Sequence, residues 1–101
     1  MPNIKEELKR LETYIEAHQE EMVRFLTAFI AKESVTYHEQ DAADFLKGKM
    51  EEFGFDEVRV DQVGNVLGRV GSGKTVLLYD AHIDTVEPGD VADWGFDPLC
   101  A

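Results

Sequence analysis

A short apolar run followed by alternating polar residues restricts the possible folds of this chain most strongly. Residues 76–79 read Val-Leu-Leu-Tyr, and such a continuous β-favouring run predicts a strand that is buried on both faces of a sheet. Asp80, His82 and Asp84 follow at alternate positions and would all point to one side of a continuing strand. Because open α/β sheets bind ligands beyond the carboxyl ends of their strands, the chemistry of this chain is predicted to lie here.

The beginning of the chain carries an apolar stripe in which spacings of four and three residues alternate. The stripe predicts either one helix that reaches about Lys32 or two helices that meet near His18, and Asn3 with Glu6 resembles a capping pair at its start. The same spacing fits a coiled-coil seam, but the acidic flanks and His18 favour a helix that packs against a core. The members of the stripe are Ile4, Leu8, Leu11, Ile15, His18, Met22, Phe25 and Phe29.

A second helix and two short strands are predicted to follow. Thr36 and Glu39 form a second capping pattern, and Gly54 ends the helix. Alternating valines predict strands around residues 57–61 and 66–70, with glycine-containing turns after each. The order of two helices and then a small mixed sheet predicts the α/β class, as an incomplete α/β sandwich. The apolar face of this helix consists of Ala42, Phe45, Leu46, Met50 and Phe53.

Length and charge exclude several classes of partner. With 101 residues the chain is one domain at most, and its net charge of −11 argues against nucleic acid and against an anionic membrane surface. Cys100 is the single cysteine, so no internal disulfide can form, and we expect a reducing, cytoplasmic location. The chain stops soon after Pro98, which predicts a fragment of a longer protein.

Residues 68–75 match the phosphate-loop pattern G-x-x-x-x-G-K-S/T. That loop binds phosphate only when it leads into a helix, whose amino-terminal amides hold the anion. The residues after Thr75 predict a strand instead. A turn between two strands is therefore the favoured interpretation.

His82 and Asp84 have the residue types of a metal ligand and its supporting carboxylate. A zinc-bound imidazole usually donates its other N–H to a carboxylate, but this spacing is common, and a strand end with a solvated histidine is the alternative. A catalytic zinc takes three protein ligands, so the spacing alone gives half of a metal site. His18 and His38 are predicted to be surface or structural residues.

Several segments together resemble the zinc-dependent aminoacylase, carboxypeptidase and succinyl-diaminopimelate desuccinylase family. The stretch 77–86 is similar to the first metal-binding segment of that family, and the sequence Asp-Ala-His-Ile-Asp-Thr-Val in it most resembles hydrolases linked to selenium metabolism. Lys32-Glu33-Ser34 departs from the usual Ile-Pro-Ser, and Pro88 is shifted by one position. The other matching segments are 22–26, 50–55, 61–68, Gly89, Asp93-Trp94 and 96–98.

The resemblance implies a metallopeptidase catalytic domain, of which residues 1–101 would be the N-terminal part. It implies that His82 binds one of two metal ions, usually zinc, and that Asp84 orients His82 as an active-site residue. The implied substrate is a small peptide or an N-acyl amino acid, and a homo-oligomer is implied as well. We expect the isolated chain to be inactive, because the remaining ligands and the general base of the family are missing. The alternative is a non-catalytic interaction module that uses the amphipathic helix of residues 4–29.

Overall fold

Helices form the first half of the chain and a β-hairpin follows them. The computed structural model describes residues 2–99, so Cys100 lies outside the described residues. Within this range, three α-helices and a two-stranded antiparallel sheet are compatible with the predicted α/β class. The elements are α1 (Ile4–Ala17), α2 (Gln19–Ile30), α3 (Gln40–Glu52), β1 (Glu57–Val60), β2 (Val66–Arg69) and a 3-10 turn (Val91–Asp93).

The amino-terminal helical segment divides at His18, as the second of the two sequence alternatives predicts. The backbone N–H of His18 donates to Ile15 O at 3.1 Å, while its Nδ1 lies 2.7 Å from Tyr14 O. The imidazole also stacks on the Tyr14 ring, with the ring centroids 4.0 Å apart. His18 therefore has a structural role at the junction of α1 and α2, as predicted. At the other end of α1, the Asn3 side chain accepts from Lys5 N and confirms the predicted cap.

A cluster of phenylalanines joins α2 to α3. The Phe25 and Phe45 ring centroids lie 5.7 Å apart, and those of Phe29 and Phe45 lie 5.9 Å apart. Phe53 approaches Phe25 at 6.3 Å. Aromatic pairs at such distances contribute roughly 0.5–1.5 kcal/mol each beyond the area that they bury. The predicted core-facing stripe is therefore confirmed in α2 for Phe25 and Phe29, whereas Met22 stays 53% exposed.

The same prediction is wrong for α1. Its apolar side chains remain 41–72% exposed, because α2 is the one described element that lies against α1. The stripe is continuous in the sequence, but the break at His18 separates a half whose two phenylalanines contact α3 from a half that stays uncovered. The uncovered residues are Ile4, Leu8, Leu11 and Ile15.

The hairpin forms where the valine pattern predicts it, and Asp61 organises its turn. Val60 pairs with Val66, and the Asp61 carboxylate accepts from the backbone N–H groups of Val63 and Asn65 at 3.0 and 2.9 Å. The side-chain Nδ2 of Asn65 donates to the other carboxylate oxygen at 2.8 Å. Gly64 takes the positive φ of 92° that this turn requires.

We expect the pKa of Asp61 to lie below its ordinary value of 3.8. The hydrogen bond from the Asn65 side chain is the largest cause, followed by the one from the Asn65 backbone, and both favour the charged carboxylate. Because the folded pKa is depressed, the contribution of this turn to stability is present above pH 3.8 and is lost as the pH falls through the folded pKa. Carboxyl carbon-13 NMR should show that Asn65→Ala raises the pKa, whereas Gln62→Ala leaves it unchanged. An unchanged pKa in Asn65→Ala would contradict this assignment.

The predicted buried strand at residues 76–79 does not form in the described structure. Its four side chains are 76–89% exposed and its backbone pairs with no other described strand. A strand buried on both faces needs neighbours, but β2 ends at Arg69 and the chain turns away at Gly71, whose N–H donates to Asp56 Oδ2 at 2.6 Å. The prediction of a mixed sheet is therefore wrong for residues 2–99, where the sheet is antiparallel.

Candidate metal-binding site

The segment that carries His82 and Asp84 is attached to the loop between α2 and α3. Thr85 N donates to Ser34 O at 2.8 Å, and the hydroxyl oxygens of the same two residues lie 3.2 Å apart. Val35 and Thr85 form an isolated parallel bridge. Ser34 is only 4% exposed, which makes it one of three buried residues among residues 2–99. These contacts hold the backbone next to Asp84 in place.

The imidazole of His82 presents one ring nitrogen to Asp84 and the other to solvent. Nδ1 lies 2.9 Å from the backbone oxygen of Asp84 and 3.4 Å from its carboxylate Oδ1. A carbonyl oxygen can only accept, so Nδ1 must be the donor, and Nε2 of the neutral ring then keeps its lone pair. The His82 side chain is 84% exposed, which leaves that lone pair accessible to a cation. This arrangement fits a histidine that binds a metal through Nε2.

The carboxylate of Asp84 is held from both sides. Its Oδ1 faces His82, while Oδ2 accepts from the Thr36 hydroxyl at 3.2 Å. The capping pattern predicted a different role for Thr36, and that prediction is wrong. Helix α3 begins at Gln40 with Glu39 as its N-cap residue, and the Glu39 carboxylate accepts from Tyr37 N at 3.0 Å.

Ser34 and Thr36 are the residues of this site that sequence reasoning missed. Ser34 ends the Lys32-Glu33-Ser34 stretch, in which Lys32 and Glu33 depart from the Ile-Pro-Ser of the resembled family while Ser34 matches it. Thr36 lies 48 residues from its partner Asp84, so no local pattern could reveal that contact. The one signal in the sequence is that two residues with hydroxyl side chains follow α2 and do not belong to its apolar stripe.

A complete metal site is not assembled within the described residues. No group of three His, Cys, Asp or Glu side chains in residues 2–99 lies close enough together to hold a metal ion. Asp80 is exposed and belongs to no such group with His82 and Asp84. The described part of the chain offers one imidazole and its supporting carboxylate, whereas a catalytic zinc takes three protein ligands. The metal role of His82 and the catalytic role of Asp84 thus stay predictions.

The phosphate-loop pattern of residues 68–75 lacks the helix that its function requires. In the described structure the next helical element after Lys74 is the 3-10 turn Val91–Asp93. Gly71 has the positive φ of 84° that suits a turn, but the predicted turn between two strands is wrong, because residues 76–79 form no strand in the described structure. A depression on the surface of α2, lined by Gln19, Glu20, Val23 and Arg24, does not include His82 either. His82 and Asp84 therefore remain the best candidate for chemistry.

The helices of residues 2–99 include none that is both long and apolar enough to cross a membrane.

Comparisons with known proteins connect the chain to a group of hydrolases. No family model matches the chain, and no solved structure matches it. The chain is 43% identical over 81 residues to YgeY, an uncharacterized protein of Escherichia coli. This match covers 80% of this chain and 20% of YgeY. It is 37% identical over 85 residues to the succinyl-diaminopimelate desuccinylase of Methylocella silvestris, covering 76% of this chain and 22% of that protein.

A third relative comes from an archaeon. Over 76 residues the chain is 41% identical to a Pyrococcus abyssi protein named as a LysW-lysine/LysW-ornithine hydrolase, covering 74% of this chain and 22% of that protein. The chain spans about a fifth of the length of the curated relatives that it matches. Over most of its length, the chain is therefore homologous to one segment of proteins named as desuccinylases and LysW hydrolases.

Proposed function

We propose that this chain is a segment of a metal-dependent amidohydrolase of the aminoacylase, carboxypeptidase and succinyl-diaminopimelate desuccinylase family. The observation that carries the proposal is the geometry of His82, whose Nδ1 is occupied by Asp84 while Nε2 faces solvent. The similarity to proteins named as desuccinylases supports the same reaction class, hydrolysis of an amide bond. The substrate would be a small N-acyl amino acid or a small peptide.

The two residues have distinct roles in this proposal. His82 would bind one metal ion through Nε2, and Asp84 would fix the ring orientation and tautomer through Nδ1. The resemblance favours zinc, with two ions in a complete site, and zinc in such sites activates water and polarises the carbonyl under attack. Since residues 2–99 do not supply the other ligands, the isolated chain would bind metal weakly and would not hydrolyse amides. A cytoplasmic location and the selenium-linked subgroup belong to the same proposal.

The exposed stripe of α1 favours a second candidate function. Leu8 and Leu11 are 54% and 55% exposed on a helix that only α2 contacts among the described elements. An uncovered apolar helix face fits a non-catalytic interaction module. A Leu11→Glu variant that loses all association while keeping its helix content would favour this function over the hydrolase.

Zinc titration tests the metal role directly in this chain. The measurement uses a background with Leu77→Lys and Tyr79→Lys, two positions that are 76% and 88% exposed, so that their apolar side chains do not drive association. We expect zinc to shift the ring nitrogen-15 signals of His82, chiefly Nε2, because Nδ1 is engaged with Asp84 and Nε2 is not.

The matched control is His38, a second histidine whose side chain is exposed. Zinc should still shift the His82 signals in His38→Ala, whereas in His82→Ala the His38 ring should not respond at the same zinc concentrations. A response that moves to His38, or the absence of any response at His82, would contradict the proposed function.

A further inference from the structure

The loop between α2 and α3 holds the site segment through two separate kinds of contact. Ser34 fixes the backbone, because its carbonyl oxygen and its hydroxyl both contact Thr85, the residue after Asp84. Thr36 contacts a side chain instead, since its hydroxyl donates to Asp84 Oδ2 at 3.2 Å. Backbone placement and carboxylate orientation are thus controlled by different residues.

We propose that Thr36 is a positioning residue, which acts on His82 through the Asp84 carboxylate. With Oδ2 held by Thr36, the other oxygen of the same carboxylate lies 3.4 Å from His82 Nδ1. The resulting order is Thr36 hydroxyl, Asp84 carboxylate and His82 imidazole. This inference rests on the proposed function for the metal role, but the orientation of the ring does not depend on whether a metal binds.

The hydroxyl of Thr36 is needed because the carboxylate has few other restraints. The terminal torsion of an aspartate is broad, so its two oxygens rotate readily unless both have partners. The Asp84 side chain is 46% exposed, and water therefore competes for both oxygens. A carboxylate that rotates away leaves the Asp84 backbone oxygen, 2.9 Å from Nδ1, as the one remaining partner of the ring in the described structure. The Nδ1–H tautomer is then less strongly favoured, and Nε2 is less often free to bind a cation.

The backbone after Thr36 is consistent with a specifically placed side chain. Tyr37 has a φ of 71°, which is unusual for a residue other than glycine, and His38 N donates to Val35 O at 2.7 Å across this turn. Strained residues of this kind persist where the surrounding structure holds them, and they concentrate at functional sites. Thr36, which contacts Asp84, directly precedes this turn, and α3 begins after the turn at Gln40.

A pair of variants at Thr36 tests the proposal in the Leu77→Lys and Tyr79→Lys background. Thr36→Val keeps the shape of the side chain but removes the donor, whereas Thr36→Ser keeps the donor. We expect the nitrogen-15 signals of His82 to show less of the Nδ1–H tautomer in Thr36→Val and an unchanged tautomer in Thr36→Ser. Loss of a residue that directly supports a metal ligand costs about 10–100-fold in affinity. Thr36 acts one contact further away, so we expect about 3- to 10-fold weaker zinc binding in Thr36→Val.

A merely structural role for Thr36 gives different results. The amide signal of Thr85, which reports its bond to Ser34 O, should be unchanged in Thr36→Val if the loop still docks. In an Asp84→Ala background, Thr36→Val should have no additional effect on the His82 tautomer, because its route to the ring is gone. An effect that persists there would overturn the proposal, as would a Thr36→Val variant with a parental tautomer.

The failure of this inference and the failure of the proposed function have different outcomes. A tautomer that responds to Thr36→Val while zinc never shifts His82 would leave Thr36 as a positioning residue and would reject the metal role. If zinc binds at His82 and neither its affinity nor the tautomer changes in Thr36→Val, the metal role stands and the positioning role of Thr36 is rejected. If Thr36→Val disturbs the Thr85 amide, Thr36→Ser together with the Asp84→Ala background still decides between the two roles.

Discussion

Replacing His82 with alanine in a hydrolase that carries this segment will abolish measurable turnover. The experiment exchanges the matched 85-residue segment of the Methylocella silvestris desuccinylase for the corresponding residues of this chain, which are 37% identical. We expect the chimera to hydrolyse succinyl-diaminopimelate, to lose that activity with a chelator and to regain it with zinc. Loss of a supporting partner of a metal ligand costs about 10–100-fold, and under the proposed function His82→Ala would remove the ligand itself, so its loss in kcat/KM should exceed about 100-fold.

Two further variants of the chimera separate the metal role from a general effect on folding. Asp84→Ala should lower kcat/KM by about 10–100-fold, because His82 stays in place but loses the carboxylate next to Nδ1. His38→Ala should leave the activity unchanged, since His38 donates to Val35 O through its backbone N–H and its side chain is exposed. A His82→Ala chimera that retains its activity and its zinc content would refute the proposed function.

The isolated chain will associate in solution instead of sedimenting as an 11.4-kDa monomer. Residues 76–79 leave four apolar side chains in solvent, and a segment of such β-favouring composition that pairs with no described strand can pair with another chain. Leu77→Lys with Tyr79→Lys should restore the monomer in sedimentation velocity, because lysine on an exposed edge opposes such pairing. A monodisperse monomer of the parent chain would contradict this prediction.

The control for charge places lysine at polar positions of the same region. Ser72→Lys with Thr75→Lys changes the net charge of −11 by the same amount without removing an apolar side chain, so it should leave the association unchanged. Leu11→Glu identifies the contribution of the α1 stripe, where Leu11 is 55% exposed. If Leu11→Glu alone yields the monomer, the association depends on α1 and not on residues 76–79.

The parts of the fold that depend on local patterns could be predicted from the sequence. Apolar periodicity located the helices, Gly54 with a φ of 79° ends α3 as predicted, and alternating valines located both strands of the hairpin. The run at 76–79 has the composition of a buried strand, but burial requires neighbouring elements, and the described structure provides none there. The composition of a segment predicts that it can form a buried strand, but it does not show whether neighbouring strands are present to bury it.

The candidate site divides in the same way. The close approach of His82 and Asp84 follows from their separation of two residues, so a sequence pattern could suggest it. The spacing of Thr36 to Glu39 is a local signal and predicts a helix cap, whereas the partner of Thr36 in the structure is Asp84. Contacts between residues so far apart in the chain depend on how α2, α3 and the hairpin pack, and no motif of a few residues contains that information.

The contact between Ser34 and Thr85 closes a loop of 51 residues, and this closure has a kinetic consequence. Helix α3 and the hairpin both lie inside that loop, so their folding must shorten the distance before the two hydroxyl groups can meet. The arrangement of His82 is thus expected to form late in folding, after its local neighbours. It will also open first under mild denaturant, since few contacts oppose its release, and the Thr85 amide should exchange with solvent far sooner than the amides of α3.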